Sequence, residues 1–248
     1  MAASRFRPSP WDDIEYFEDY RLGGFHPVAI GDVFAQRRYR VVHKLGFGSS
    51  STIWLARDQP GKRVALRVMH AEVSSKPAEE IEIWAFIPAD HFTENGPNGS
   101  HLCLVYGLAG PSILSTPSSP GRVSTSRRLR KDLARNVAKQ LACAFKLMHT
   151  AGFVMEVRGN FCGGGATFNI LFRVAENVQE WSDSEVYLNF GQPETEKVVT
   201  RDGSPPGPHA PAQLIAPIEN VRLTYSTLLP EDILLIDFGQ SFSSFRPR

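Results

Sequence analysis

Two glycines, an arginine, an asparagine and an aspartate are the residues of this chain best suited to hold a polyphosphate and its cation. Gly46 and Gly48 stand in Gly-Phe-Gly-Ser-Ser-Ser (46–51), with strand-like residues on both sides. A turn without side chains lets backbone N–H groups approach phosphate oxygens closely. Phe47, Ser49, Ser50 and Ser51 complete the stretch, and Arg67 sits in the following strand-like run, VALRVM. Asn169 precedes Ile-Leu-Phe, and Asp237 opens Asp-Phe-Gly after Leu-Leu-Ile. Their hard oxygen donors suit Mg²⁺, which takes one or two protein carboxylates with phosphate oxygens and water. Each feature also has a plainer reading: a hairpin, a surface strand cation, a strand end. Their order along the chain is what argues for nucleotide handling.

These residues need a scaffold, and the pattern around them supplies one. Tyr39–Leu45, Ser51–Ala56 and Arg63–Met69 are strand-like, separated by glycine-rich and Asp-Gln-Pro-Gly turns, which predicts an antiparallel meander. Ser75 with Pro77 reads as the start of a helix through EEIEIWAFI, stopped at Pro88. Leu102–Tyr106 is a further buried strand. Leu129, Leu133, Val137, Leu141, Phe145 and Met148 recur at helical spacing, predicting a helix to His149 that ends at Gly152. Its apolar stripe needs cover; left wet, it invites a partner or aggregation. Short strands are expected at Asn169–Val174 and Ile233–Ile236, with a polar, Pro- and Gly-rich insertion over 175–230. The chain divides on this reading into an N-terminal arm (1–35), a small β-rich lobe (36–110) and a partial second lobe (111–248). The class is α+β.

Composition excludes more than it assigns. The 248 residues carry a net charge of +1, so there is no electrostatic case for nucleic acid or an anionic membrane. No apolar run approaches the roughly 18 residues of a membrane span, and the first residues lack the apolar core of a signal peptide. Cys103, Cys143 and Cys162 form neither a metal spacing nor a disulfide framework, which points to a reducing compartment, cytoplasm or nucleus. The basic run 122–131 reads as a solvated helix start, with a nuclear-import patch as the alternative.

Glycine turn, strand cation, asparagine and Asp-Phe-Gly follow one another as in a protein kinase. The stretches EDYRLGGFHPVAIGDVF (18–34), RYRVVHKLGFGSSSTIWLARD (38–58), GPNGSHLCLVYGLAGPSIL (96–114), FNILF (168–172) and LLIDFGQSF (234–242) resemble the SR-protein kinases, in their fungal form. EVYLNFGQPETEKV (185–198) and PPGPHAP (205–211) are similar to that family's insertion before Asp-Phe-Gly. The resemblance covers most of 15–242. It implies a two-lobed kinase fold, ATP with Mg²⁺, and serine/threonine phosphorylation of arginine/serine-rich splicing proteins. By the same resemblance Gly46–Ser51 and Arg67 hold the phosphates, and Glu80 (or Glu82) pairs with Arg67. Tyr106 is the gatekeeper, the backbone of Gly107 and Ala109 holds adenine, and Asn169 and Asp237 bind the metal. Ser51 stands where many kinases have a third glycine, and Arg67 where they have lysine.

Four departures bear on activity. The family's His-Gly-Asp-x-x-x-x-Asn is here Cys162, Gly163, Gly164 … Asn169, so no catalytic base stands at Gly164. MEVRGNF (155–161) has no counterpart, and its Glu156 is too far from Asn169 to replace the base. The stretch EIEIWAFIPADHFTENGPNG leaves a fourth strand shortened or lost. The chain also ends nine residues after Gly239, before any activation segment or docking groove. The expectation is a serine/threonine kinase relative, truncated and catalytically impaired. The alternatives are a nucleotide-binding pseudokinase module and a kinase-derived fragment from misjoined coding segments.

Overall fold

The computed structural model describes residues 4–12, 14–75, 88–113, 129–150, 152–155, 170–218, 228–236 and 241–243. In chain order the elements are β1 (Val33–Phe34), β2 (Tyr39–Gly48), β3 (Ser51–Asp58), β4 (Arg63–Met69), α1 (Ala71–Ser74), β5 (Asp90–Gly96), β6 (Gly99–Gly107) and β7 (Ala109–Ser112). Then follow α2 (Lys131–Thr150), β8 (Phe153–Met155), β9 (Ile170–Arg173), α3 (Glu176–Gln179), α4 (Asp183–Phe190), β10 (Thr195–Lys197), β11 (Gln213–Ile215), β12 (Ile233–Leu235) and β13 (Ser241–Ser243). The α+β class holds. Two compact units form: Met1–Ile81 with Ile87–Leu108 and Gln179–Glu219, and Glu82–Phe86 with Ala109–Val178 and Asn220–Arg248.

The first unit is built on one antiparallel sheet in the order β1-β2-β3-β4-β6-β5. The expected meander is present, with β2 and β3 running further than their apolar residues alone imply. The fourth strand of the family pattern is not lost: β5 pairs with β6 along its whole length, from Asp90↔Val105 to Gly96↔Gly99. Its residues DHFTENG hide it from a hydrophobicity reading. As an edge strand it needs only one buried flank, and polar residues protect its free edge.

Directly opposed residues of an antiparallel sheet share a face. Val41, Trp54, Ala56, Leu66, Val68, Cys103 and Val105 all lie on one face and form a buried core. Val28 and Phe34 of the N-terminal arm and Ile215 of the insertion join that core. A second cluster joins the arm's Phe6, Tyr20 and Phe25 to Val198, Ala210 and Leu214. The polar, Pro- and Gly-rich stretch expected as an insertion therefore contributes to both buried clusters. Ser182 and Glu185 close a capping box on α4, and β10 pairs with β11. Val186, Phe190, Val198, Leu214, Ile215 and Ile218 of this stretch are buried, while Leu188 is 77% exposed. Its polar composition belongs to the remaining surface.

In the second unit α2 lies within two residues of the expected helix ends. Leu133, Val137 and Met148 are buried, Leu141 and Phe145 half-buried, and Leu147 is 71% exposed. The stripe thus finds cover over part of its length. Gln140 ties the helix to β12, donating to the Glu231 carbonyl (3.0 Å) and accepting from Ile233 N–H (3.0 Å). β12, β9 and β7 form a three-stranded sheet, and β13 pairs with β8. Ser75 is the C-terminal cap of α1 rather than a helix start, because the turn 71–74 already ends on it. The helix expected from Pro77 lies outside the described residues. Among the described residues no helix is long and apolar enough to cross a membrane.

Candidate functional site

Ser49 and Ser50 connect β2 to β3, and the register fixes what surrounds them. Gly48 opposes Ser51, Gly46 opposes Ile53, Ile53 opposes Arg67, and Arg67 opposes Leu104. One row across four strands thus places Gly46 and Arg67 on the same face, with Ile53 between them. Ala65, two residues before Arg67, opposes Tyr106 and carries the face onward. Four residues singled out from the sequence, Gly46, Gly48, Arg67 and Tyr106, share this face. It is the face opposite the buried core. Phe47 opposes Thr52 and belongs to the other side.

Arg67 is positioned by the hairpin itself. Its Nε donates to the Ser51 hydroxyl at 2.9 Å, and Ser51 is only 1% exposed. The hydroxyl at the third-glycine position therefore orients the strand cation instead of facing solvent. His70 N–H donates to the Ser50 carbonyl at 2.8 Å, pinning the turn to the end of β4.

The glycines of the turn are not demanded by the fold. Among the described residues, a Cβ added at Gly46 or Gly107 meets nothing within 4 Å, and at Gly48 only the Ser51 hydroxyl at 3.9 Å. None of the three has the left-handed backbone that favours glycine. Gly96 and Gly99 differ: a Cβ at 96 would lie 2.3 Å from the His26 ring, and Gly99 has φ +130°. Open space above Gly46 is what close approach of a ligand to backbone N–H groups requires.

The same face is cationic beyond Arg67. Arg40, Arg57 and Arg63 oppose one another on β2, β3 and β4. Asp183 of α4 accepts from Arg40 and, at 2.7 Å, from Arg63. Burial pushes the Asp183 carboxyl up, but the Arg40 hydrogen bond and the charges of Arg40, Arg63 and Arg57 outweigh it and hold the group below the ordinary carboxylate value. Burial lowers the Arg63 guanidinium, whose Nε and Nη1 have no partner among the described residues. Sequence reasoning missed this row; two arginines at equal distance from one turn were its signal. It also missed the buried pair of Lys44 with Glu15, where a lysine stands inside an apolar strand.

Gly107 is exposed at the end of β6, and Ala109 opens β7 in the second unit. Glu80, Gly164, Asn169 and Asp237 lie outside the described residues. Among the described residues no group of three metal-ligating side chains comes together.

No family model matches the chain. Curated relatives do. Protein kinase dsk1 of Schizosaccharomyces pombe is 37% identical over 153 residues, covering 54% of this chain and 27% of the relative. Serine/threonine-protein kinase SRPK of Physarum polycephalum is 31% identical over 150 residues, covering 54% and 34%. Serine/threonine-protein kinase spk-1 of Caenorhabditis elegans is 35% identical over 149 residues, covering 53% and 14%. One solved kinase domain superposes with a TM-score of 0.46 at 15% identity, covering 90% of this chain and 57% of that one. All three relatives are named as protein kinases, two of them as serine/threonine-protein kinases. Over about half its own length the chain is similar in sequence to these kinases, and it spans about a third or less of their length.

Proposed function

We propose that this chain is a serine/threonine-kinase-type protein that binds Mg·ATP and is impaired in phosphoryl transfer. One observation carries the binding half. Gly46 and Gly48 lie on the face that presents Arg67, and among the described residues nothing crowds a Cβ placed at either position. Backbone N–H groups of 46–51 would cradle the phosphates, and Arg67, held by Ser51, would supply positive charge beside them. Arginine at this place is a planar fork in place of a compact ammonium, which alters phosphate geometry while keeping the charge. Asn169 and Asp237 would hold Mg²⁺ through oxygen, and Gly107 and Ala109 would offer backbone groups to adenine. These four assignments rest on the likeness to the relatives.

The impairment rests on Gly164. A positioned general base contributes about 10²–10⁴-fold to a proton transfer, and glycine has no group to accept the hydroxyl proton. Substrates of the relatives' kind, arginine/serine-rich proteins, would be phosphorylated slowly or bound without transfer. A thermal-shift titration with Mg·ATP beside Asp237→Asn, followed by label transfer to an arginine/serine peptide, tests both halves. A ligand that binds only the native state at 100 times its Kd stabilises by about 2.7 kcal/mol. The expected outcome is a shift that Asp237→Asn reduces, with transfer slower than that of a relative carrying the catalytic aspartate by about 10²-fold or more. No shift for the unmodified chain overturns the binding half, and rapid transfer overturns the other.

A further inference from the structure

Three arginines share one carboxylate on the sheet, and the middle one is left over. Arg40, Arg57 and Arg63 oppose one another on β2, β3 and β4, so their side chains leave the same face of three adjacent strands. Asp183, at the start of α4, spends one oxygen on Arg40 and the other on Arg63. Arg57, between them, is exposed and makes no hydrogen bond or ion pair among the described residues. Arg63 is 1% exposed, yet its Nε and Nη1 have no partner among the described residues. Unmet donors on a buried charge are costly, more so than on a neutral group. Burial lowers the Arg63 guanidinium, and the Arg57 charge lowers it further despite Asp183. Against burial, Arg40, Arg63 and Arg57 together hold the Asp183 carboxyl down. The neighbouring acids are engaged elsewhere. Glu185 accepts from Ser182 N–H at 2.7 Å and from its hydroxyl at 2.8 Å, and acts on Arg63 only through its charge. Asp58 accepts from Lys62 N–H at 2.6 Å and, opposing Tyr39, belongs to the other face.

We propose that Arg40, Arg57 and Arg63 form an oxyanion site that takes a phosphate monoester, with Arg57 as its exposed contact. Asp183 already shows the row gripping an oxyanion, a carboxylate held through both oxygens by two of the three arginines. Guanidinium donors in a fixed planar fork match phosphate oxygens, and a doubly charged group answers a row of three cations that holds one carboxylate. Arg57 and the half-exposed Arg40 open the row to solvent, and Arg63 adds its unmet donors. A nucleic-acid strand needs a longer basic track than one row, and a net charge of +1 supplies none. A phosphorylated serine of a protein and free phosphate present the same group to these arginines. The site rests on nothing assigned to the glycine turn.

Calorimetric titration of the full chain with inorganic phosphate and with a phosphoserine peptide, in the absence of nucleotide, tests the site beside Arg57→Gln and Lys62→Gln. Arg57 is exposed, so its replacement leaves the core intact, and Lys62→Gln removes a neighbouring exposed charge from the β3–β4 turn. The expected result is saturable binding that weakens about tenfold in Arg57→Gln and less than about twofold in Lys62→Gln. A peptide held more tightly than phosphate assigns the site to a phosphorylated protein; equal or weaker binding of the peptide assigns it to the free anion. No binding to the unmodified chain, or no difference between the two variants, overturns the proposal. A short RNA bound more tightly than either probe, and lost in Arg57→Gln, overturns it as well.

Discussion

On one face of the six-stranded sheet Val41, Trp54, Leu66, Val68 and Val105 are sealed beneath the arm and the insertion. On the other, Gly46, Ile53, Ala65 and Arg67 are only half-buried; Leu55 and Leu104 on that face are buried, and Arg40, Arg57 and Arg63 lie further along. The strands are shared; only the parity of each position differs. Substitutions on the covered face should therefore act on stability, and substitutions around Gly46 on ligand binding. Lys44 with Glu15 is a buried charge pair on the covered side of β2.

The largest effect should come from the covered face. Trp54 is 1% exposed, and its indole N–H donates to Thr52 at 2.9 Å. Trp54→Ala should lower unfolding free energy by about 3–5 kcal/mol, as for other large-to-small core changes, measured by urea denaturation. A loss below about 1 kcal/mol would break the comparison.

Acid is the second probe. Burial, with the charge of neighbouring His101, pushes His26 down to about 4, and burial pushes His43 down to about 4. Both values lie below the ordinary 6.5, so between pH 6.5 and about 4 the unfolded chain takes up protons that the folded one refuses. Stability is full above pH 6.5 and falls with acidification, by up to about 1.4 kcal/mol per pH unit for each group. Melts at pH 7 and pH 5 check the sign. His26 packs its ring against His101 and Phe34, so this loss should be greatest where the arm meets the sheet.

A pair of glycine replacements sharpens the contrast further. Gly96→Ala drives a methyl against the confined His26 ring and should cost about 1–3 kcal/mol. Gly46→Ala meets open space and should leave stability within about 0.5 kcal/mol. Equal losses would mean that Gly46 serves the fold after all.

In the first unit the strand Arg63–Met69 was legible residue for residue, and in the second unit the helical spacing gave α2 to within two. β5 was not, since Asp-His-Phe-Thr-Glu-Asn-Gly on a sheet edge needs no apolar alternation to pair. The insertion was hidden for a related reason. Its buried residues are spaced for contact with the arm and the sheet, partners remote in sequence, so no local period reveals them. Of the site, Gly46, Gly48 and Arg67 were legible as residue types, and the register shows them on one face. The Ser51 hydroxyl's hold on Arg67 and the Lys44–Glu15 pair depend on side-chain reach between segments, which no spacing rule encodes.

The most direct measurement is a calorimetric titration of Mg·ATP into the unmodified chain and into Gly46→Val, with the melting temperature of each recorded. The account predicts saturable binding to the unmodified chain, its loss in the variant, and closely similar melting temperatures. Equal binding to both, or none to either, would contradict the assignment of the Gly46 face to nucleotide phosphates.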